Sequence, residues 1–229
     1  MDQPPPMFLT RDAAHALDQA AAEEYHIPSI LLMEHAALAL LAKTNDMLST
    51  HNLDSVLILC GPGNNGGDGY ALARLLAPTR INVTIASSTP PRPGTDAATN
   101  AEIATALAIP RVSLDPADLA PLLSHPTLII DALFGTGLDR PLDSPFEVLF
   151  AAIHDSSNPI LAVDLPSGLD ADTGNPLGPC LCAEATLTFV APKLAMSNPL
   201  AAPYLGRIIV ANIGTPPSLL KKFGRPVEL

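Results

Sequence analysis

The chain has 229 residues, 48% of them hydrophobic and only 15% charged, which is enough apolar material to bury one sizeable α/β core. A formal net charge of -11 argues against a nucleic-acid backbone or an anionic membrane surface as the main partner. No uncharged apolar run approaches the ~18 residues needed to cross a bilayer, and three cysteines, Cys60, Cys180 and Cys182, are too few and too oddly spaced for a disulfide framework or a zinc site.

The segment Met1 to Pro6 has neither the basic and apolar regions of a signal peptide nor an Arg-rich amphipathic pattern, so a cytoplasmic address is expected. Thr10 to Tyr25 reads as a helix, with Thr10 able to cap it and Leu17 and several alanines forming a small-residue face. His26-Ile27-Pro28 breaks it. Ser29 is expected to cap a second helix, Ile30 to about Asn45, that is apolar almost all round and carries Glu34 and His35 in its middle. Those two either point to the surface or need partners inside. The apolar faces of both helices suit a homodimer surface or burial within the domain.

From Ser55 the pattern alternates. Strands are expected at 56–60, 81–86, 111–113, 127–131, 160–164, 186–190 and 207–211, with helices at 70–76, 96–108, 116–123 and 145–154 between them. Strands apolar on both faces and alternating with helices predict a three-layer, Rossmann-like α/β sandwich: a mostly parallel sheet with helices on both faces, in a single domain over residues 1–229.

In such a sheet ligands bind beyond the carboxyl ends of the strands. Three strands here end in polar, glycine-bearing turns: Gly61 to Gly69, Asp131 to Arg140, and Asp164 to Asp170. If these strands are neighbours, Asp68, Asp131 and Asp164 share one crevice. Gly61-Pro62-Gly63-Asn64-Asn65-Gly66 satisfies G-x-G-x-x-G, but the second strand ends Ala86-Ser87-Ser88-Thr89, without the acidic residue a dehydrogenase uses on the ribose. Gly67-Asp68-Gly69 stands where a Walker loop would have its lysine and hydroxyl residue, which demotes nucleotide-triphosphate chemistry. Ser167 lacks a nucleophile elbow, and the histidines are scattered. What remains is carboxylate chemistry at Asp164, with the oxygens of Asn65, Asp131 and Ser167 able to bind a hard cation.

These residues carry a resemblance. The runs Gly61 to Gly69, Asp131-Ala132-Leu133-Phe134-Gly135-Thr136-Gly137 and Val163-Asp164-Leu165-Pro166-Ser167-Gly168, in that order, resemble the YjeF N-terminal domain family, the NAD(P)H-hydrate epimerases. Leu32-Met33-Glu34 with Ala36, Phe189 to Lys193, and Asn212 to Pro216 extend the likeness over nearly the whole chain. It implies an isomerase that interconverts the R and S epimers of hydrated NADH and NADPH (NADHX and NADPHX), small molecules in which water has added to the nicotinamide ring. It also implies a bound potassium ion (K+) held by Asn65, Asp131 and Ser167. Substrate contacts are implied at Asn64, Asn65, Gly66, Gly67, Asp68, Gly135, Thr136, Gly137, Leu138, Asp139, Arg140, Pro141 and Asp164, with Asp164 as the catalytic acid or base. A separate dehydratase is the implied metabolic partner, because the sequence shows no second domain. The alternative is a non-catalytic nucleotide- or protein-binding module of the same fold. Such a module would be free to lose Asp131, Asp164 or the Asn64 to Asp68 run, all of which are present.

Overall fold

A computed structural model describes residues 5–227, so most of the N-terminal segment read above lies outside it. Nine strands and eight α-helices follow in chain order: β1 (Met7–Phe8), α1 (Arg11–Tyr25), α2 (Ser29–His51), β2 (Ser55–Cys60), α3 (Asn64–Leu76), β3 (Asn82–Ser87), α4 (Asp96–Ala106), β4 (Arg111–Val112), α5 (Pro116–Leu123), β5 (Leu128–Ala132), α6 (Ser144–Asp155), β6 (Ile160–Val163), β7 (Ala185–Phe189), α7 (Ala202–Leu205), β8 (Arg207–Ala211), α8 (Pro217–Phe223) and β9 (Arg225–Pro226). Seven strands form one parallel sheet in the order β4-β3-β2-β5-β6-β7-β8. The order reverses between β2 and β5, and that switch point opens a crevice at the strands' carboxyl ends.

The period-2 alternation of each strand decides the layers. In β2, Val56, Ile58 and Cys60 pack with Leu40 and Met47 of α2, Leu72 and Leu76 of α3 and Ala104 of α4. Leu57 and Leu59 point the other way, onto Leu119 of α5 and Leu149, Phe150 and Ile153 of α6. The three-layer α/β sandwich expected from the sequence is therefore present, with helices on both faces. A third cluster joins Leu17, Ala20 and Ala21 of α1 to Leu32 and Ala36 of α2, Ile213 and Leu219, which seats α1 beside the strand ends. The antiparallel pair β1-β9 was not visible in the sequence; two-residue strands give no periodic signal.

Several element ends shift by a residue or two from the sequence reading, and three differences bear on the site and its flanking helices. Helix α2 continues to His51, because Lys43, Thr44, Met47 and Leu48 are buried and reward the extra turns. Ser29 is its first residue and not its cap; Pro28 holds the cap position, and the Ser29 hydroxyl donates to Asp96 of α4. Helix α3 begins at Asn64 and not at Tyr70, so the loop proper is only Gly61-Pro62-Gly63. The central pair on α2 is served at its surface: Glu34 is ion-paired with Arg74, and His35 Nδ1 lies 2.8 Å from the Ile213 carbonyl. The same helix leaves Leu31 and Leu38 exposed. Among the described residues no helix is long and apolar enough to cross a membrane.

Candidate active site

The crevice at the switch point holds a cleft of about 430 Å³, lined among others by Asp18, Gly63, Asn64, Asn65, Asp68, Gly135, Thr136, Leu138 and Asp164. A narrower recess continues from it past Asp68 and Asp164 to Lys193. A third cavity, bordered by Pro62, Ser87, Ser88, Thr89, Arg140 and Pro141, adjoins the cleft over the ends of β3 and β4.

One wall is the N-terminus of α3. The first backbone N–H that finds a helical partner is that of Gly67, 3.0 Å from the Gly63 carbonyl, so the amides of Asn64 and Asn65, which line the cleft, make no hydrogen bond among the described residues and can meet a ligand. The glycines of this helix are required by the protein itself. A Cβ on Gly66 would overlap the Gly61 carbonyl; one on Gly67 would meet the Met33 side chain at 2.6 Å, and one on Gly69 would meet Ala132 and Cys60 at 2.9 Å. Gly63 has open space around it and borders the cleft. Of the residues expected to contact substrate, Gly66 and Gly67 thus lie behind the wall, while Asn64, Asn65 and Asp68 form it.

The second wall is the turn after β5. Gly135, Thr136, Gly137 and Leu138 line the cleft, whereas Arg140 and Pro141 border the adjoining cavity and Asp139 borders neither. Arg11 of α1 fastens this turn, donating to the Leu138 carbonyl at 2.5 Å and pairing with Asp170 at 3.0 Å. Asp131 is not in the wall. It is fully buried within β5, where Ser167 satisfies it twice: the amide donates to Oδ2 at 2.7 Å and the hydroxyl to Oδ1 at 2.5 Å. The Ser167 hydroxyl in turn accepts from the Phe134 amide at 3.0 Å, which ties the second and third strand-end turns together. Burial pushes the Asp131 carboxyl up to about 6 against the lowering effect of those hydrogen bonds.

Asp164 follows β6 directly and has φ of +67°, with the Leu165 amide donating to the Val163 carbonyl across it at 2.8 Å. Such a left-handed turn at a non-glycine residue is costly and marks functional sites. Val190, at the end of neighbouring β7, repeats the geometry with φ of +68°. The two turns bring Lys193 under Asp164. Its ammonium donates to Asp164 Oδ1 at 2.5 Å, to the Thr188 hydroxyl at 2.8 Å and to the Phe189 carbonyl at 3.2 Å. The Thr188 hydroxyl also donates to Oδ1 at 2.9 Å. Both donors use the same oxygen, so Oδ2 carries no hydrogen bond from the described residues and is left for the cleft. Sequence reasoning gave Lys193 no role in the site; 29 residues separate it from Asp164, and only the pairing of β6 with β7 joins them.

Asn65, Asp131 and Ser167 are brought together around the turn 131–135. A Cβ on Gly135 would lie 2.9 Å from Asn65 Oδ1, while Asn65 Nδ2 is buried without a partner among the described residues. Asp131 has no Lys, Arg or His among the ion pairs of the described residues, although it is buried. An all-oxygen set of carboxamide, carboxylate and hydroxyl around a buried acid without a counter-charge fits a hard cation.

Comparison with known proteins agrees with this geometry. Residues 29–195 match the family described as YjeF-related protein N-terminus. The chain is 38% identical over 209 residues to an NAD(P)H-hydrate epimerase of Lentilactobacillus buchneri, covering 90% of this chain and 94% of the relative. It is 36% identical over 223 residues to an NAD(P)H-hydrate epimerase of Rhodopirellula baltica, covering 96% and 89%. A bifunctional NAD(P)H-hydrate repair enzyme of Salinibacter ruber is 35% identical, and there the match covers 95% of this chain but 42% of the relative. Among solved structures, that of a yeast protein superposes with a TM-score of 0.77 at 22% identity, covering 97% of this chain and 96% of the other, which is a likeness of fold.

Proposed function

Because the chain belongs to the family of YjeF-related protein N-termini, we infer that it is an NAD(P)H-hydrate epimerase, an isomerase that interconverts the R and S forms of hydrated NADH and NADPH. The observation that carries this reading is Asp164: a strained, nearly buried carboxylate anchored through one oxygen, with the other turned to a cleft whose far wall is the N-terminus of α3.

The substrate is a dinucleotide, and the crevice offers a place for each part. Its pyrophosphate lies against the free amides at the start of α3, the hydrated ring enters the cleft at Asp164, and the adenosine half extends over β3 and β4 into the adjoining cavity. Epimerisation requires the C–O bond at the hydroxyl-bearing ring carbon to break and to re-form on the other face. The ring nitrogen's electron pair expels the oxygen once that oxygen is protonated, leaving an iminium-like ring to which water returns. Asp164 Oδ2 moves a proton at the departing or returning oxygen. Lys193 and Thr188 keep Oδ1 fixed, so that Oδ2 has one direction. The apolar side chains of Leu133, Phe134 and Phe189 limit bulk water around the iminium-like ring.

As part of the same proposal, Asn65, Asp131 and Ser167 hold potassium. When bound, the ion supplies the positive charge that Asp131 lacks and orients substrate oxygens. A dehydratase acting on one epimer is the proposed metabolic partner, and the cytoplasm the proposed site of action. The test is a mixture of NADHX epimers incubated with a dehydratase specific for the S form. Added epimerase leads to consumption of both epimers at the dehydratase-limited rate. No acceleration beyond spontaneous exchange refutes the reading and favours a binding module of the same fold.

A further inference from the structure

We propose that Asp18 of α1 is the second acid-base group of this cleft, the proton donor that works with Asp164 on the epimerising carbon; the proposal rests on the epimerase reading above. Asp18 borders both the cleft and its inner recess, as Asp164 does, but it approaches from α1 while Asp164 comes from the end of β6. It lies outside residues 29–195 matched by the family, and the helical pattern of its segment marks it only as one polar position among several.

Its surroundings set it apart from the other carboxylates nearby. Asp170 is committed to Arg11, Asp96 to Ser29 and Asp131 to Ser167, whereas no hydrogen bond or ion pair among the described residues holds the Asp18 carboxyl. The charged groups that face it are Asp164 at the end of β6, Lys193 in the turn after β7, Asp68 on α3 and His15 on its own helix. Its side chain is exposed at the open cleft, but the protein atoms flanking it displace part of the surrounding water. That partial desolvation first, and the Asp164 charge second, lift its carboxyl to about 6, with Lys193 and His15 opposing. Asp68 differs: it is buried, and burial first, then Asp164 and Asp18, push its carboxyl well above the ordinary range.

Two groups from two walls are what the reaction needs, since the hydroxyl leaves from one face and water returns to the other. In one direction the Asp18 carboxyl gives its proton to the ring hydroxyl and the C–O bond breaks, with the ring nitrogen's electron pair filling the gap. One water leaves. A second water attacks the same carbon from the opposite face and gives its proton to Asp164 Oδ2. The net transfer is one proton from Asp18 to Asp164, which the open cleft returns through solvent. The reverse epimerisation exchanges the two roles. Asp164, anchored by an ammonium, suits the acceptor part; Asp18, without a counter-charge in contact, suits the donor part.

The experiment follows purified R-epimer of NADHX to its epimer equilibrium by chromatography, for the full chain and for Asp18→Asn and Asp18→Glu, across pH. The wild type loses kcat as pH rises through about 6, because the donor must be protonated. In Asp18→Asn kcat falls roughly 100-fold or more, the limb near that pH disappears and KM changes little. Asp18→Glu, with the carboxyl on a longer arm, recovers part of the rate together with a displaced limb. Wild-type rate and profile in Asp18→Asn overturn the proposal, and so does a slower variant that keeps the limb, which would mean a structural role. A wild type that gives no exchange overturns the epimerase reading and this proposal with it.

Discussion

Replacing Lys193 by Met tests the arrangement that aims Asp164. Lys193 is 3% exposed and its side chain is bound by four acceptors: Asp164 Oδ1, the Thr188 hydroxyl and the carbonyls of Phe189 and Ala191. Methionine fills the stem's volume but leaves the Asp164 carboxylate in a nearly closed site without its counter-charge. Breaking one side of a buried pair costs about 3–5 kcal/mol. Because the Asp164 side chain keeps 11% of its surface open at the cleft, the lower end, roughly 3 kcal/mol, is expected. For a domain of this size each kcal/mol moves the melting temperature by about 2–4 °C, so Lys193→Met should melt about 6–12 °C below the wild type. The double variant Lys193→Met, Asp164→Asn removes the stranded charge and should be more stable than the sum of the two single changes implies, by about 1 kcal/mol or more. Thermal and urea unfolding of the four proteins measure this. A Lys193→Met protein that melts with the wild type, or strict additivity in the cycle, would refute the claim that this pair holds Asp164.

Other expectations follow from the same geometry. Gly66→Ala should destabilise the fold severely, since its Cβ overlaps the Gly61 carbonyl, whereas Gly63→Ala, with nothing within 4 Å and φ of -95°, should fold normally and weaken only dinucleotide binding; unfolding curves and titration calorimetry separate the two. Potassium should raise the melting temperature of the wild type relative to a large organic cation, by the linkage expected of a ligand that binds only the folded state, and the rise should vanish in Asn65→Ala. Burial alone would raise the Asp170 carboxyl, but hydrogen bonds from Thr173 and Asp172 and the charge of Arg11 outweigh it and hold it below the usual range. Its folded-state value is therefore depressed; the stability it adds is present above the unfolded value and lost as pH falls through the folded one. Acidification should thus free the Arg11 clamp on Leu138, seen as faster amide exchange in 135–142 before global unfolding.

The alternation of apolar runs and helices made the layered sheet legible in the sequence, because every central strand is buried on both faces and its runs are long enough to show it. The cleft positions of Asp164 and Asp68 were legible for a related reason: ligands meet this fold at strand ends, and strand ends are marked by glycine and aspartate, whereas Asn64 and Asn65 were singled out as substrate contacts by the family resemblance. The start of α3 was not. Four glycines within 61–67 argue for an open loop, yet Gly66 and Gly67 sit in helix because the space beside them is taken by Gly61, Met33 and Ala97; packing overrides propensity there. Lys193 and Asp18 were hidden because neither the lysine-to-strand distance nor the face of α1 that meets the cleft is set by local pattern; both depend on how β7 and α1 pack.

The most direct measurement is the rate of R-to-S exchange of NADHX at a fixed pH with wild-type protein and with Asp164→Asn, each shown by circular dichroism to be folded. The account predicts exchange far above the spontaneous rate for the wild type and none above it for Asp164→Asn, with dinucleotide binding retained. Equal exchange by the two proteins would contradict it.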